Sequence, residues 1–309
     1  MSTPILLDCD PGHDDAIALL LALASPELEL LGVTTVAGNQ TLPKTTANAL
    51  RVLEFVGRGD VPVAAGADRP LARELFIGAY VHGESGLDGP ALPPPRGLPV
   101  KQHAVDFLAE GILGSERPVT LVPVGPLTNV ALLLARYPEA AANVERIVLM
   151  GGAIAEGNVT PAAEFNVYVD PEAAWRVFRS DLPVTMIGLD VTHRALMTDA
   201  HAARLRAAGA AGRMVAELYD FFVGYHLRTY GVEGAPIHDA VAVAQVLRPG
   251  IVETLHRHVD VDCESQLCRG RTVVDLWHRT GEEPNADVGV GIDAEGFLEL
   301  LCERIASFE

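Results

Sequence analysis

Four carboxylates fall within eight residues near the N-terminus, in Asp8-Cys9-Asp10-Pro11-Gly12-His13-Asp14-Asp15. Crowded at one turn they repel one another, and a hard cation with oxygen ligands, Ca²⁺ among them, relieves that repulsion without strict geometry. One or two of these acids could simply cap a helix, where a side-chain oxygen satisfies free N–H groups and faces the positive end of the helix dipole. Capping uses one carboxylate, so four need a further reason. The spacing is not that of an EF-hand, which requires a ligand where Gly12 stands and a glutamate where Leu19 stands.

The elements around this cluster are those of a βαβ series. Short apolar runs at Ile5–Cys9, Leu28–Val36, Val119–Val124, Arg146–Met150 and Val184–Leu189 read as strands buried on both faces of a parallel sheet. Helical periodicity separates them, over Asp14–Ala24, Thr41–Val56, Ala104–Leu113, Leu127–Ala135 and Pro171–Phe178, with Pro171 suited to a first turn. The pattern predicts an α/β fold, an open and mostly parallel sheet flanked by helices with a Rossmann-like core. In such a sheet ligands sit beyond the carboxyl ends of the strands, where Asp8 to Asp15 fall. From about Ala200 the order changes: two helices, a long Ala/Val-rich helix from Ile237, extended runs at His258–Asp262 and Arg271–Leu276 that pair as a small hairpin, and a closing helix. The Pro/Gly-rich stretch from Gly83 to Pro99 reads as a long loop of the kind that is either functional or poorly ordered. No segment reads as a linker, so residues 1–309 are expected to form one domain.

Composition narrows the partners. Forty-one acidic against 23 basic side chains give a formal charge of −18, which repels a nucleic-acid polymer and an anionic membrane surface. Cys9, Cys263, Cys268 and Cys302 have neither CxxC nor zinc spacing and read as reduced thiols. With no leader pattern at Met1-Ser2-Thr3-Pro4 and no apolar run of membrane-spanning length, the expected compartment is the cytoplasm.

Several motifs in order now carry a resemblance. DCDPGHDDAIAL, VAGNQT, VPVGPLTN, GGA followed by GN-T, AEFN-DPEAA and HDA make the chain similar to the inosine–uridine-preferring nucleoside hydrolases from about residue 5 to 290. The first motif often has Thr where Cys9 stands. The resemblance implies a Ca²⁺ held by Asp10, Asp15, the backbone carbonyl of Val124 and Asp239, completed by ribose hydroxyls and water. It implies that Asp10 is the general base for the attacking water at C1′, through an oxocarbenium-like transition state. Asp14, Asn39 and Asn166 would then orient the 2′ and 3′ hydroxyls, and Asn158 and Glu164 the 5′ hydroxyl. His82, Tyr230 and His238 would face the leaving base, with the loops carrying His82 and Tyr230 closing as a lid. The HGESGLDG loop with Tyr230 and His238 looks most like the pyrimidine-preferring branch, so uridine and cytidine are the expected substrates, with inosine also possible. Family members are homo-tetramers or dimers, and a homo-oligomer, a tetramer first, is expected here.

Taken singly these residues have plainer readings. Asn39 after Gly38 and Asn158 after Gly157 suit turns, Val124 a buried strand end, and Asp239 the acidic start of a helix. His103, His193, His201, His256, His258 and His278 belong to no constellation. Three other functions compete. The strand-end Asp-x-Asp fits a haloacid dehalogenase-like phosphatase with Asp8 as nucleophile and Asp10 as acid, but Asp14 and Asp15 have no place in that scheme. A nucleoside phosphorylase would need a basic or glycine-rich phosphate cradle, which is not found. A calcium-dependent nucleoside-binding protein would need the metal and hydroxyl contacts but not His238.

Overall fold

The computed structural model describes residues 2–308. Thr3–Cys9 (β1), Leu28–Thr35 (β2), Val63–Ala65 (β3), Val119–Pro123 (β4), Val144–Met150 (β5) and Val184–Ile187 (β6) form parallel strands in the order β3-β2-β1-β4-β5-β6. β4 and β6 are buried at every position, which explains why their sequences run apolar without alternation. Leu196–Met197 (β7) and Ala235–Pro236 (β8) make a separate two-stranded piece. Val252–Arg257 (β9) and Ala286–Ile292 (β12) extend the main sheet beyond β6, with β12 parallel to β6 and β9 antiparallel at the edge. Val259–Val261 (β10) and Thr272–Val274 (β11) pair as the expected small hairpin.

Helices cover the sheet: His13–Leu23 (α1), Leu42–Phe55 (α2), the single turn Ala79–His82 (α3), Ala104–Leu113 (α4), Thr128–Arg136 (α5), Phe165–Val169 (α6), Pro171–Phe178 (α7), Leu189–Thr192 (α8), Asp199–Arg206 (α9), Ala210–Tyr230 (α10), Asp239–Leu247 (α11) and Ala294–Ala306 (α12). α1 is buried on nearly every face because it lies against α11 as well as the sheet, and both helices are accordingly rich in Ala, Leu and Val. Their N-terminal ends bring Asp14, Asp15 and Asp239 together.

Three parts of the C-terminal half depart from the sequence reading. The helix expected to be long from Ile237 starts at Asp239 and has nine residues, and the long helix is α10 with 21. β9 is a half-exposed edge strand, and β12 carries two glycines that weaken any strand signal, so tertiary pairing decides both. β3 is only three residues long. Among the described residues no helix is long and apolar enough to cross a membrane.

Candidate active site

The strand order reverses between β1 and β4, the position at which an open α/β sheet leaves a crevice. β1 delivers Asp10 to the rim of that crevice and β4 delivers Val124, with Val124 N–H donating to the Asp8 carbonyl at 2.8 Å. The Asp10 turn is tied by Asp15, whose Oδ1 accepts the N–H of Asp10 and whose Oδ2 accepts that of Gly12, both at 2.9 Å. The plain capping role therefore holds for Asp15, alongside any other. Asn39 reinforces the turn, its backbone N–H donating to Asp10 Oδ2 at 2.6 Å and its amide to Asp15 Oδ2 at 3.0 Å.

Asp10 Oδ1 is buried with no partner among the described residues. Gly125 faces that oxygen so closely that a Cβ there would stand 2.5 Å from it, and one on Gly38 would stand 2.2 Å from Oδ2. Oxygens of Asp14, Asp15 and Asp239 lie within 4.8 Å of one another. Burial first, and then mutual repulsion, pushes Asp10 and Asp239 well above the usual carboxylate range and Asp14 up to about 8; Asp15 also rises, by burial. No Lys or Arg among the described residues lines the space above them. Four buried acids without a counter-charge, one presenting an unpartnered oxygen, form an oxygen-donor set that fits a hard cation. The side-chain cluster contains Asp14 in place of the Asp10 of the sequence-expected set, and the Val124 carbonyl accepts from Asn166 Nδ2 at 2.8 Å.

Next to the acids opens a cavity partly continuous with solvent, lined by both polar and aromatic side chains. It is lined by Asp14, Asn39, His82, Val124, Asn158, Glu164, Asn166, Tyr230, His238 and Asp239, while Asp10 and Asp15 are buried beside these acids. Several have structural duties too. Glu164 caps α6 and accepts from the N–H groups of Asn166, Val167 and Gly152, and burial pushes its carboxyl up to about 7. Asn158 Oδ1 accepts from Phe165 N–H at 2.9 Å.

The base-side residues are placed differently from the expectation. His82 is not a loop residue: it ends α3 and is 6% exposed. Tyr230 is likewise the last helical residue of α10 rather than part of a loop, half-exposed, with its ring stacked on His226 at 5.6 Å. His238 is buried, with Nδ1 2.7 Å from Thr192 Oγ1. Burial, reinforced by neighbouring imidazoles, drives His82 and His238 well below the usual histidine range, which favours the uncharged rings. The sequence reading gave no role to His193, which lines the cavity edge-on to His238, and it overlooked Phe222, Tyr225 and His226. A signal for the latter existed: Phe222, Tyr225/His226 and Tyr230 recur at helical spacing and put one aromatic stripe of α10 into the pocket.

Asp8, the nucleophile of the phosphatase reading, accepts from Thr34 Oγ1 at 2.5 Å and Asn129 Nδ2 at 2.8 Å and is buried away from the cavity lining. No substrate reaches it there.

The family model described as inosine-uridine preferring nucleoside hydrolase matches residues 5–299. The pyrimidine-specific ribonucleoside hydrolase RihA of Shewanella sp. (strain ANA-3) is 56% identical, over 100% of this chain and 98% of its own. RihA of Salmonella agona (strain SL483) is 54% identical, over 99% of each. Among solved structures, the purine-preferring ribonucleoside hydrolase from Gardnerella vaginalis superposes with a TM-score of 0.94 at 34% identity, covering 99% of both chains. With a family match across nearly its whole length and ribonucleoside hydrolases as its relatives, this enzyme belongs to the inosine-uridine preferring nucleoside hydrolase family.

Proposed function

We propose that the enzyme is a calcium-dependent hydrolase of pyrimidine ribonucleosides, with uridine and cytidine favoured and inosine within its range, releasing ribose and free base. The observation that carries this reading is the unpartnered Oδ1 of Asp10, close to Asp14, Asp15 and Asp239 at a cavity lined by both amides and imidazoles. The preference for pyrimidines is supported by the names of the relatives at 54–56% identity, while the solved structure at 34% is named for purines.

Asp10, Asp15, Asp239 and the Val124 carbonyl would hold the cation, with Asp14 adjoining them. When bound there, Ca²⁺ supplies charge that acidifies a neighbouring water and anchors ribose hydroxyls. Asp10 Oδ1 accepts the proton of the water attacking C1′. As the C1′–N bond lengthens, positive charge develops on the ribose, and the carboxylates beneath the cavity stabilise it. Asp14, Asn39 and Asn166 orient the 2′ and 3′ hydroxyls, and Asn158 and Glu164 the 5′ hydroxyl. A sugar lacking one of these hydroxyls leaves a buried polar group unpaired, which discriminates against 2′-deoxyribosides. A neutral His238 donates an N–H to the departing base, His82 contacts it from another wall, and the aromatic stripe of α10, with Tyr230 at its end, covers its face. Residues 1–309 act as one nucleoside hydrolase domain, in a homo-oligomer for which a tetramer is favoured over a dimer.

The test is release of reducing sugar from uridine, cytidine, inosine and 2′-deoxyuridine in phosphate-free buffer, before and after chelation. The reading predicts chelator-sensitive release, fastest from the pyrimidine ribosides and slowest from the deoxyriboside. Release that depends on added phosphate would refute hydrolysis, and calcium-dependent binding without release would leave only a binding protein.

A further inference from the structure

His13 lies inside the acidic motif but has no carboxylate partner among its hydrogen bonds. Its ring is fully buried and packs face to face on Phe221 and Phe222 of α10, at 5.1 and 5.4 Å. Its Nε2 is 2.8 Å from the carbonyl oxygen of Asp88, and its Nδ1 is 3.0 Å from His82 Nδ1. The backbone N–H of His13 approaches the same His82 atom at 3.3 Å. Because the Asp88 carbonyl can only accept, Nε2 carries the proton of a neutral His13 and its Nδ1 accepts from His82 Nδ1–H, so the 3.3 Å backbone approach to the same atom is a close contact and not a second hydrogen bond. Gly12 permits both, since a Cβ there would stand 2.5 Å from His82 Nδ1.

The Asp88 carbonyl belongs to a segment that is itself fixed. Asp88 Oδ2 accepts from Glu84 N–H at 2.9 Å and Oδ1 from Ser85 N–H at 3.1 Å, and Asn48 Nδ2 donates to the Ser85 carbonyl at 2.9 Å. His13 therefore joins a fixed loop, the aromatic stripe of α10 and the His82 ring at one point.

We propose that His13 is a positioning residue for His82: it occupies Nδ1 of that ring, turning it from the cavity so that Nε2 alone meets the nucleoside. This rests on the base-side role given to His82 above. A ring free to rotate would offer either nitrogen or neither, and misplacement of a reacting or orienting group by an ångström costs about 100-fold in rate.

A double-mutant cycle tests it, with kcat/KM for uridine, half-saturating calcium and thermal melting measured for each form. His13→Gln keeps the reach to Asp88 and withdraws from His82; His13→Asn keeps an amide near the position of Nδ1. His13→Gln and His82→Ala should each lower kcat/KM by about 10- to 100-fold, the double variant should lose no more than either alone, and His13→Asn should recover most of the loss. Calcium requirement should be unchanged throughout. If the Gln form does not fold, His13→Leu, similar in volume, takes its place in the cycle. Additive losses, or a raised calcium requirement in His13→Gln, overturn the inference and assign His13 to the aspartate turn. No effect of His82→Ala instead overturns the role given to His82, and the inference with it.

Discussion

Asn39 donates its backbone N–H to Asp10 Oδ2 at 2.6 Å, and the other oxygen of Asp10 has no partner among the described residues. One oxygen is thus fixed by the chain and the other is left without a partner, which is where the proposed reading places the chemistry. Asp10→Asn should abolish turnover, by about 10³-fold or more, because an amide accepts a water proton poorly. The same change removes one of four crowded carboxylates. The calcium-free variant should therefore melt at or above the temperature of the calcium-free wild type, and a large fall in melting temperature would show that Asp10 serves the fold instead.

Gly125 and Gly38 make room for that carboxylate, each lying within 2.5 Å of it when given a Cβ. Neither is among the glycines with positive φ, so alanine meets a steric obstacle there and no backbone strain. Gly125→Ala should displace Asp10 and lower kcat about 100-fold, while overpacking costs about 1–3 kcal/mol of stability. Activity falling only in proportion to the folded fraction, read by circular dichroism at the assay temperature, would contradict this.

Calcium removal should change the pH dependence of stability. Asp14, at about 8 in the folded protein, lies above its unfolded value of 3.8, and burial and repulsion raise Asp10 and Asp239 well above that unfolded value too. Between those values the folded state holds protons that the unfolded chain has released, so stability declines as pH rises. The calcium-free protein should therefore melt progressively lower from about pH 5 to 8, and added calcium, proposed above to bind these folded carboxylates, should raise the melting point most at the upper end. A pH-independent melting point in the stripped form would mean that these acids are compensated by other means.

The legible part of this molecule was the part written in local sequence. Apart from the three-residue β3, which was not expected, the strands up to Ile187 and the turn at Asp10 follow from apolar runs and from an acid density that helix capping alone does not explain. The resemblance added Asp239, Asn158 and Glu164, which no spacing connects to Asp10. β12 was illegible because Gly289 and Gly291 weaken a strand that its neighbours β6 and β9 nevertheless hold in place. His193 looked isolated because only the packing of α8 against the cavity brings it beside His238. His13 was hidden in plain view, since the carboxylates around it accounted for the motif before its own contacts with His82 and Asp88 could be known.

His238 provides the sharpest separation between catalysis and binding. Thr192 Oγ1 holds its Nδ1 at 2.7 Å, so the opposite nitrogen is the one available to the cavity, and burial favours the uncharged ring. A neutral imidazole helps a poor leaving group such as uracil by donating an N–H as the glycosidic bond breaks, an effect of about 10²- to 10⁴-fold in acid–base catalysis. p-Nitrophenolate needs no such help. His238→Ala should therefore lower kcat for uridine by about 10²-fold or more, yet leave p-nitrophenyl β-D-riboside hydrolysis and its calcium requirement close to the wild type. Thr192→Val, which loosens the ring without removing it, should show the same pattern at smaller amplitude. Equal losses on both substrates would place His238 with the ribose or the cation, and would transfer the leaving-group role to another wall of the cavity.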